Sequence, residues 1–326
     1  MMKHSLIIFA LIFMINYSTR AKENPVEVGS VKWGRDLDDA LTKSSETGRP
    51  VFLLFQEVPG CVGCQNFGKS VLSHPLLVEA IEDLFLPVLV YNNRGGVDEV
   101  LLNRFNEPAW NYQVVRFLTG KGRDIIPRKD RIWSLGGIAS RMVDALKAAK
   151  RPIPQYLESI AVENSEKNHA VSAIAVHCFW TGEMVLGRIE GVVSTEAGWI
   201  DGREVTQVVY DKEKLTLQAL TQKARGAKLA LKVYAPGNEA EVLNDVPTGR
   251  FDERYRKAKA SDQKKQIEGW IALQELPGLT EMQKTKINAF FPLDRSKALE
   301  WLSPRQQQHL KKGEQDTAAE TDKPRR

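Results

Sequence analysis

The chain has 326 residues, 42% of them hydrophobic and 27% charged, which is enough apolar material for two ordinary domains and excludes a disordered polar protein. Lysine and arginine total 46 against 41 aspartate and glutamate, and the resulting charge of +5 is too small for the basic footprint of a nucleic-acid-binding protein. Three cysteines are too few for a disulfide-stabilised scaffold, so each one is considered individually.

The first 21 residues predict a secretory signal peptide. Lys3 precedes an apolar run over residues 6–15, which is shorter than the roughly 20 residues that span a bilayer. Small residues near position 21 fit a cleavage site, although Tyr17 and Arg20 leave an uncleaved anchor or lipid attachment open. We expect an exported protein of the periplasm or cell envelope, with no membrane span after signal removal, in a compartment that permits disulfide chemistry.

Residues 22–150 alternate between short apolar runs and amphipathic stretches. Strands are predicted at residues 51–55, 86–91 and 114–118, and helices at residues 71–83, 97–105 and 136–149. Strands that alternate with helices are typical of an α/β domain whose sheet is at least partly parallel. Prolines within residues 151–154 interrupt this pattern, so we place a linker at residues 151–169.

The order of predicted elements changes in residues 170–235. Strands are predicted at residues 170–176, 191–197, 205–210 and 227–234, and helices at residues 179–189 and 215–223. This β-α-β-β-α-β order predicts a ferredoxin-like split βαβ fold, an α+β domain with two helices on one face of an antiparallel sheet. A helical extension is expected at residues 236–310, with helices at 254–274 and 280–290, and a disordered charged tail at residues 311–326.

Cys61 and Cys64 follow the first predicted strand directly, and a helix is expected after them. Free backbone N–H groups at the first turn of a helix stabilise a thiolate, so Cys61 would be a nucleophile and Cys64 could resolve a mixed disulfide. A structural zinc site would need two further ligands at matching spacing, and haem attachment would need a histidine where Gln65 stands. An inert disulfide remains open as an alternative.

This segment resembles the thioredoxin-like superfamily over residues 31–150, through Trp33, the first strand and the Cys61/Cys64 pair before a helix. The resemblance implies a thioredoxin-like fold and dithiol–disulfide chemistry in which the N-terminal cysteine reacts first. Thioredoxin-like proteins carry a cis-proline just before the strand that faces the disulfide. Gln113 holds that position here and Pro108 lies too early, which leaves the range of partners open.

The third cysteine, Cys178, ends an apolar run and begins a predicted helix. This position fits a buried, inert thiol, but it also fits a thiol activated at a helix N-terminus, with Phe179 and Trp180 as an aromatic wall for a methyl group beside a sulfur. Three acidic residues of the same unit could supply a proton: Glu183, Glu204 and Asp211.

Residues 170–234 resemble the A-type peptide methionine sulfoxide reductases. The family's Gly-Cys-Phe-Trp motif corresponds to residues 177–180, its Gly-Val-x-Ser-Thr motif to residues 191–195 and its Gly-Tyr pair to residues 198–199. The resemblance implies that Cys178 is the nucleophile. It also implies that Glu204, seven residues before the aspartate of a Tyr-Asp pair, is the catalytic acid.

The chain departs from that family at three points. His177 replaces the glycine before the nucleophile, and the loop between Trp199 and Glu204 is nearly absent. The downstream motif is not recognisable, and Tyr255 with its neighbours is a poor substitute. A shortened substrate pocket is therefore expected, with Phe179, Trp180 and Trp199 as its substrate-binding residues.

The two resemblances together predict an exported enzyme that reduces methionine sulfoxide in proteins or peptides without a cofactor or metal. Cys178 would attack the sulfoxide sulfur while Glu204 donates a proton, a general-acid step worth roughly 10²–10⁴ in rate. Because no cysteine follows Cys178, the sulfenic acid formed on it would be reduced by the Cys61/Cys64 pair and then by an external thiol reductant. The alternatives are a thiol-disulfide oxidoreductase with a non-catalytic, reductase-like binding domain, and a non-enzymatic scaffold.

Overall fold

The three apolar runs of the first half form a three-stranded sheet. In the computed structural model, which describes residues 24–110, 113–165 and 168–321, strand β1 (Val51–Gln56) lies between β2 (Leu86–Tyr91) and β3 (Val114–Leu118). β1 runs parallel to β2 and antiparallel to β3. Every residue of β1 is buried because helices cover both faces, which explains why its sequence is apolar without alternation.

Six helices surround this sheet: α1 (Leu37–Thr47), α2 (Val62–Ser70), α3 (Pro75–Leu84), α4 (Val97–Phe105), α5 (Leu135–Ala148) and α6 (Gln155–Glu163). Helices α2, α3, α5 and α6 pack on the face that carries Phe52 and Leu54. Helices α1 and α4 pack on the opposite face, which carries Leu53 and Phe55. The period-two alternation of a strand thus divides β1 between two hydrophobic cores.

The second half contains a six-stranded sheet with the order β8-β7-β4-β6-β5-β9. Its strands are β4 (His169–Ala175), β5 (Val192–Ile200), β6 (Arg203–Asp211), β7 (Lys232–Ala235), β8 (Thr248–Arg250) and β9 (Arg256–Lys257). Helices α7 (Phe179–Gly187) and α8 (Leu217–Gly226) pack together on one face. The four central strands pair antiparallel, so the predicted β-α-β-β-α-β order has the split βαβ arrangement.

The C-terminal segment joins the two halves through helices α9 (Ile271–Gln274), α10 (Glu281–Phe290), α11 (Arg295–Leu299) and α12 (Pro304–Thr321). On the second half, Thr285 of α10 accepts a hydrogen bond from the Thr195 N–H at 3.2 Å. On the first half, the buried carboxylate of Glu79 in α3 accepts hydrogen bonds from the Ser303 hydroxyl at 2.5 Å and the Arg305 N–H at 2.9 Å. Hydrogen bonds between buried groups therefore hold the C-terminal segment against both halves.

Three predicted segments differ from the structure. The expected linker at residues 151–169 contains α6, because Pro154 caps a helix instead of separating domains, and Leu157 and Ile160 are buried in the first core. The expected helix at residues 254–274 is replaced by β9, a short 3-10 turn and α9. The tail expected to be disordered from residue 311 is helical to Thr321, while residues 322–326 and the predicted signal peptide at residues 1–21 lie outside the described residues.

A helix that crosses a bilayer must be both long and apolar. In the part of the chain that the structure describes, none of the helices meets both requirements.

At Gly68, helix α2 packs directly against the backbone of Val26 and Glu27. A Cβ at this position would collide with the Val26 carbonyl oxygen and would lie 2.8 Å from Glu27 Cα. Gly68→Ala is therefore expected to destabilise the protein by about 1–3 kcal/mol through overpacking, measured as a lower melting temperature in calorimetry.

Gly226 is the matched control, because it ends α8 and a Cβ added there would have no atom within 4 Å. Gly226→Ala should be neutral or stabilise by up to about 1 kcal/mol, since alanine has the higher helix propensity. Equal melting temperatures for the two variants would contradict the close packing of α2.

Candidate functional site

The loop between β1 and α2 places the two cysteines in different surroundings. Cys61 is the N-terminal cap residue of α2 and is exposed, whereas Cys64 lies in the first turn and is fully buried. Their Sγ atoms are 3.6 Å apart as free thiols. This loop conformation requires a glycine at position 60, because a Cβ on Gly60 would lie 2.5 Å from the Glu57 carbonyl oxygen and 2.9 Å from Cys64 Sγ.

The two thiols also differ in their pKa values. The backbone N–H of Cys64, followed by the Cys64 thiol and the Gly63 N–H, donates toward Cys61 Sγ and lowers the pKa of Cys61. Burial, reinforced by the neighbouring Cys61, raises the pKa of Cys64 to about 12. Cys61 is therefore the thiol of the pair that ionises at the lower pH, and it is also the one that solvent reaches.

Two further residues neighbour the pair, and only one of them, Gln113, is predicted from the sequence. Glu57 Oε2 lies 3.9 Å from Cys64 Sγ, and the ligand atoms of Glu57, Cys61 and Cys64 all lie within 4.8 Å of one another. Gln113 is buried with a positive φ of 46°, and its Nε2 has no hydrogen-bond partner among the residues that the structure describes. The position of Gln113 before β3 was visible in the sequence, but Glu57 carried no signal because its approach depends on how the loop folds.

The residues predicted around Cys178 are also brought together. Cys178 caps the N-terminus of α7 and is half-buried. Glu204 lies on the neighbouring strand β6, and its Oε2 accepts a hydrogen bond from the Phe179 N–H at 2.7 Å. The carboxylate is thus held at the same helix end as the thiol, where the helix dipole favours negative charge.

An aromatic cluster adjoins this helix end. The buried Phe179 ring contacts Trp199 in an edge-to-face arrangement, with centroids 5.4 Å apart, and lies 6.0 Å from Trp180. The two tryptophans are more than one-third exposed, at 37% for Trp180 and 38% for Trp199. These three side chains form an accessible aromatic surface beside Cys178 and Glu204.

The other acidic candidates are not at this site. Glu183 is buried in an ion pair with Lys264 at 2.9 Å, and burial raises the pKa of this carboxyl. Asp211 pairs in register with His169, at the opposite end of β6 from Glu204. Tyr255, the poor substitute for the missing motif, packs under Gly198 with the core on the other face of the sheet.

The two thiol sites lie on separate sheets. Within the described residues, no hydrogen bond joins Cys178 to Cys61 or Cys64, and Cys178 is outside the cluster of Glu57, Cys61 and Cys64. The internal relay from Cys178 to the pair is therefore not assembled in this conformation.

Comparison with known proteins bears on the first of these sites. Residues 32–106, which include β1, both cysteines of the pair and α2, match a family model described as thioredoxin-like. The first domain is thioredoxin-like. This agrees with the resemblance expected from Trp33 and the cysteine pair, and it supports an oxidoreductase.

A solved structure of "DsbH Oxidoreductase" is similar to this chain at 17% identity and a TM-score of 0.31, covering 40% of this chain and 91% of that one. No curated protein matches the chain. These findings give no support to a methionine sulfoxide reductase domain, so the split βαβ topology of the second half stands without an assigned family.

The thiol asymmetry predicts how the reduced protein reacts with iodoacetamide. Because the pKa of Cys61 is lowered, its thiolate persists to lower pH, and alkylation should show a midpoint below the roughly 8.5 of an ordinary cysteine. Cys64 should stay unmodified until the protein unfolds. Mass spectrometry of digests taken across the pH range gives both values, and equal labelling of the two cysteines would contradict the assignment.

Proposed function

We propose that the protein is an exported thiol-disulfide oxidoreductase whose redox centre is the Cys61/Cys64 pair. The observation that carries this proposal is an exposed thiol of lowered pKa at a helix N-terminus, 3.6 Å from a buried thiol of raised pKa. This asymmetry lets one sulfur attack an incoming disulfide while the other is kept protonated until it is needed.

The proposed reaction is two successive thiol–disulfide exchanges. The Cys61 thiolate attacks one sulfur of a substrate disulfide, the substrate S–S bond breaks, and the first substrate thiolate leaves and takes up a proton. Cys64 then loses its proton and attacks Cys61 Sγ, which releases the second substrate thiol and forms the Cys61–Cys64 disulfide. Two electrons pass from the pair to the substrate, and an external thiol reductant returns them.

The second exchange needs a proton acceptor, because burial keeps the Cys64 thiol neutral. Glu57 is placed for this role, with Oε2 at 3.9 Å from Cys64 Sγ. Transfer of the proton to Glu57 would create the Cys64 thiolate beside its target, the mixed disulfide on Cys61.

Export is part of the proposal and rests on residues 1–21 alone. An oxidising compartment would supply disulfide-containing proteins or peptides as substrates. The reaction uses no cofactor beyond the thiol reductant.

Reduction of insulin disulfides in the presence of an external dithiol tests this proposal. Cys61→Ser should abolish turnover, with a loss of more than about 100-fold, because the variant lacks the attacking sulfur. Cys64→Ser should accumulate a mixed disulfide on Cys61, detectable by mass spectrometry. Insulin reduction by Cys61→Ser at the wild-type rate would overturn the proposal.

Methionine sulfoxide reduction at Cys178 is a second candidate function, favoured by the Glu204 carboxylate at 2.7 Å from the Phe179 N–H beside the thiol. In this reaction the Cys178 thiolate attacks the sulfoxide sulfur and Glu204 protonates the sulfoxide oxygen. That oxygen passes to Cys178 as the transient sulfur–sulfur bond breaks, so methionine leaves and Cys178 becomes a sulfenic acid. An external thiol would then form a disulfide with Cys178 and release water. A non-catalytic domain that binds clients for the Cys61/Cys64 pair is the competing interpretation.

Assays with dithiothreitol and a methionine sulfoxide peptide separate these interpretations. Catalysis predicts methionine formation that falls at least 100-fold in Cys178→Ser and roughly 10²–10⁴-fold in Glu204→Gln. Equal methionine yields from the wild type and Cys178→Ser would exclude the reductase, and normal insulin reduction by the same variant would then favour the binding domain.

A further inference from the structure

We infer that Glu57, Cys61 and Cys64 form, in the reduced protein, an exchangeable site for a thiophilic divalent cation such as Zn²⁺. This site does not depend on the proposed disulfide exchange. It requires only that the two thiols be free and that the Glu57 carboxylate face them, as the structure shows.

The distances between the three ligand atoms fit one face of a tetrahedron. With Zn–S near 2.3 Å and Zn–O near 2.1 Å, tetrahedral coordination places two sulfurs about 3.8 Å apart and a sulfur and an oxygen about 3.6 Å apart. Cys61 Sγ and Cys64 Sγ are 3.6 Å apart, and Cys64 Sγ is 3.9 Å from Glu57 Oε2. All three atoms lie within 4.8 Å of one another, so small side-chain movements complete the face.

The loop that carries the ligands is held in place before any ion binds. Asn93 accepts a hydrogen bond from the Val58 N–H at 3.2 Å and donates one to the Pro59 carbonyl at 3.3 Å. The Gly60 N–H donates to the Glu27 carboxylate at 3.0 Å. Each residue between Glu57 and Cys61 therefore has an anchor, which lowers the entropy lost on coordination.

Charge and access also suit a cation. Two thiolates and one carboxylate exceed the charge of a dication, so the loaded site stays anionic and the N-terminus of α2 stabilises it. Cys61 is exposed, which gives the ion a path from solvent. Three protein ligands leave the fourth position open, the arrangement of an exchangeable site and not of a closed structural one.

Two consequences follow from the ligand set. Both thiols lose their protons to the metal, so affinity rises with pH and binding releases up to two protons. Because each sulfur is occupied, the loaded protein cannot attack a disulfide, whereas the oxidised pair offers no thiolate and cannot hold the ion. Metal and disulfide therefore exclude each other.

Titration of the fully reduced protein with Cd²⁺, followed through its thiolate charge-transfer absorption, tests the site, and Zn²⁺ competition extends the result to zinc. We expect one equivalent to bind, the exposed Cys61 thiol to be protected from alkylation, and no binding to the oxidised protein. Cys61→Ser and Cys64→Ser should abolish the absorption band. Glu57→Gln should weaken binding at least 10-fold, because an anionic ligand becomes neutral.

Two controls isolate the cluster from general effects. Glu99→Gln makes the same charge change at an exposed position of α4, and Cys178→Ser removes the thiol outside the cluster; both should bind cadmium like the wild type. Wild-type affinity in Glu57→Gln would show that the carboxylate is not a ligand and overturn the inference, as would binding that survives loss of either cysteine. Insulin reduction by metal-free protein is scored separately, so failure of the disulfide chemistry and failure of the metal site give different results.

Discussion

The chemistry of the first domain depends on the unequal solvation of two sulfur atoms that are 3.6 Å apart. The inequality arises because α2 begins just after the loop that follows β1, with its cap residue exposed to water and its third residue buried. Gln56 stabilises this arrangement, because its buried side-chain amide donates hydrogen bonds to the Glu27 carbonyl at 2.6 Å and to the Cys64 carbonyl at 3.4 Å.

The burial of Cys64 also explains why the loop between β1 and α2 matters for the chemistry. A Cβ at Gly60 would lie 2.6 Å from Cys64 Cβ and 2.5 Å from the Glu57 carbonyl oxygen, so the absence of a side chain there leaves room for Glu57 beside the buried sulfur. A carboxylate beside a buried thiol can accept its proton during disulfide exchange or share a cation with it. Both roles therefore come from one packing feature: Glu57 would accept a proton when Cys61 is in a mixed disulfide, and it would share a cation when both thiols are free.

The sequence predicted most of the strands, because a buried strand carries its own signal in a short apolar run. Residue type and spacing also singled out Cys61 and Cys64, which the structure brings to 3.6 Å, whereas Cys178 and Glu204 were paired through a family resemblance and meet at the start of α7. Three features needed tertiary structure: the proline-capped helix α6 in place of a linker, the Glu57 approach, and the fate of residues 254–274. In that last segment Lys264 adopts a positive φ of 49° and turns inward to Glu183, a long-range pairing that no local periodicity reveals.

The contacts between the two halves bear on whether their thiol sites can exchange electrons within one chain. Glu79 is buried against Ser303 and Arg305, and Glu163 accepts hydrogen bonds from the backbone at the start of α10. Hydrogen bonds to charged groups are worth about 1.5–3 kcal/mol each, so separating the halves to bring Cys178 to Cys61 would sacrifice several of them at once. Tethering raises the effective concentration of a partner only when the geometry allows the two sites to meet. A small thiol or a second molecule that carries electrons between the sites avoids this cost, because each site is open to solvent while the halves stay in contact.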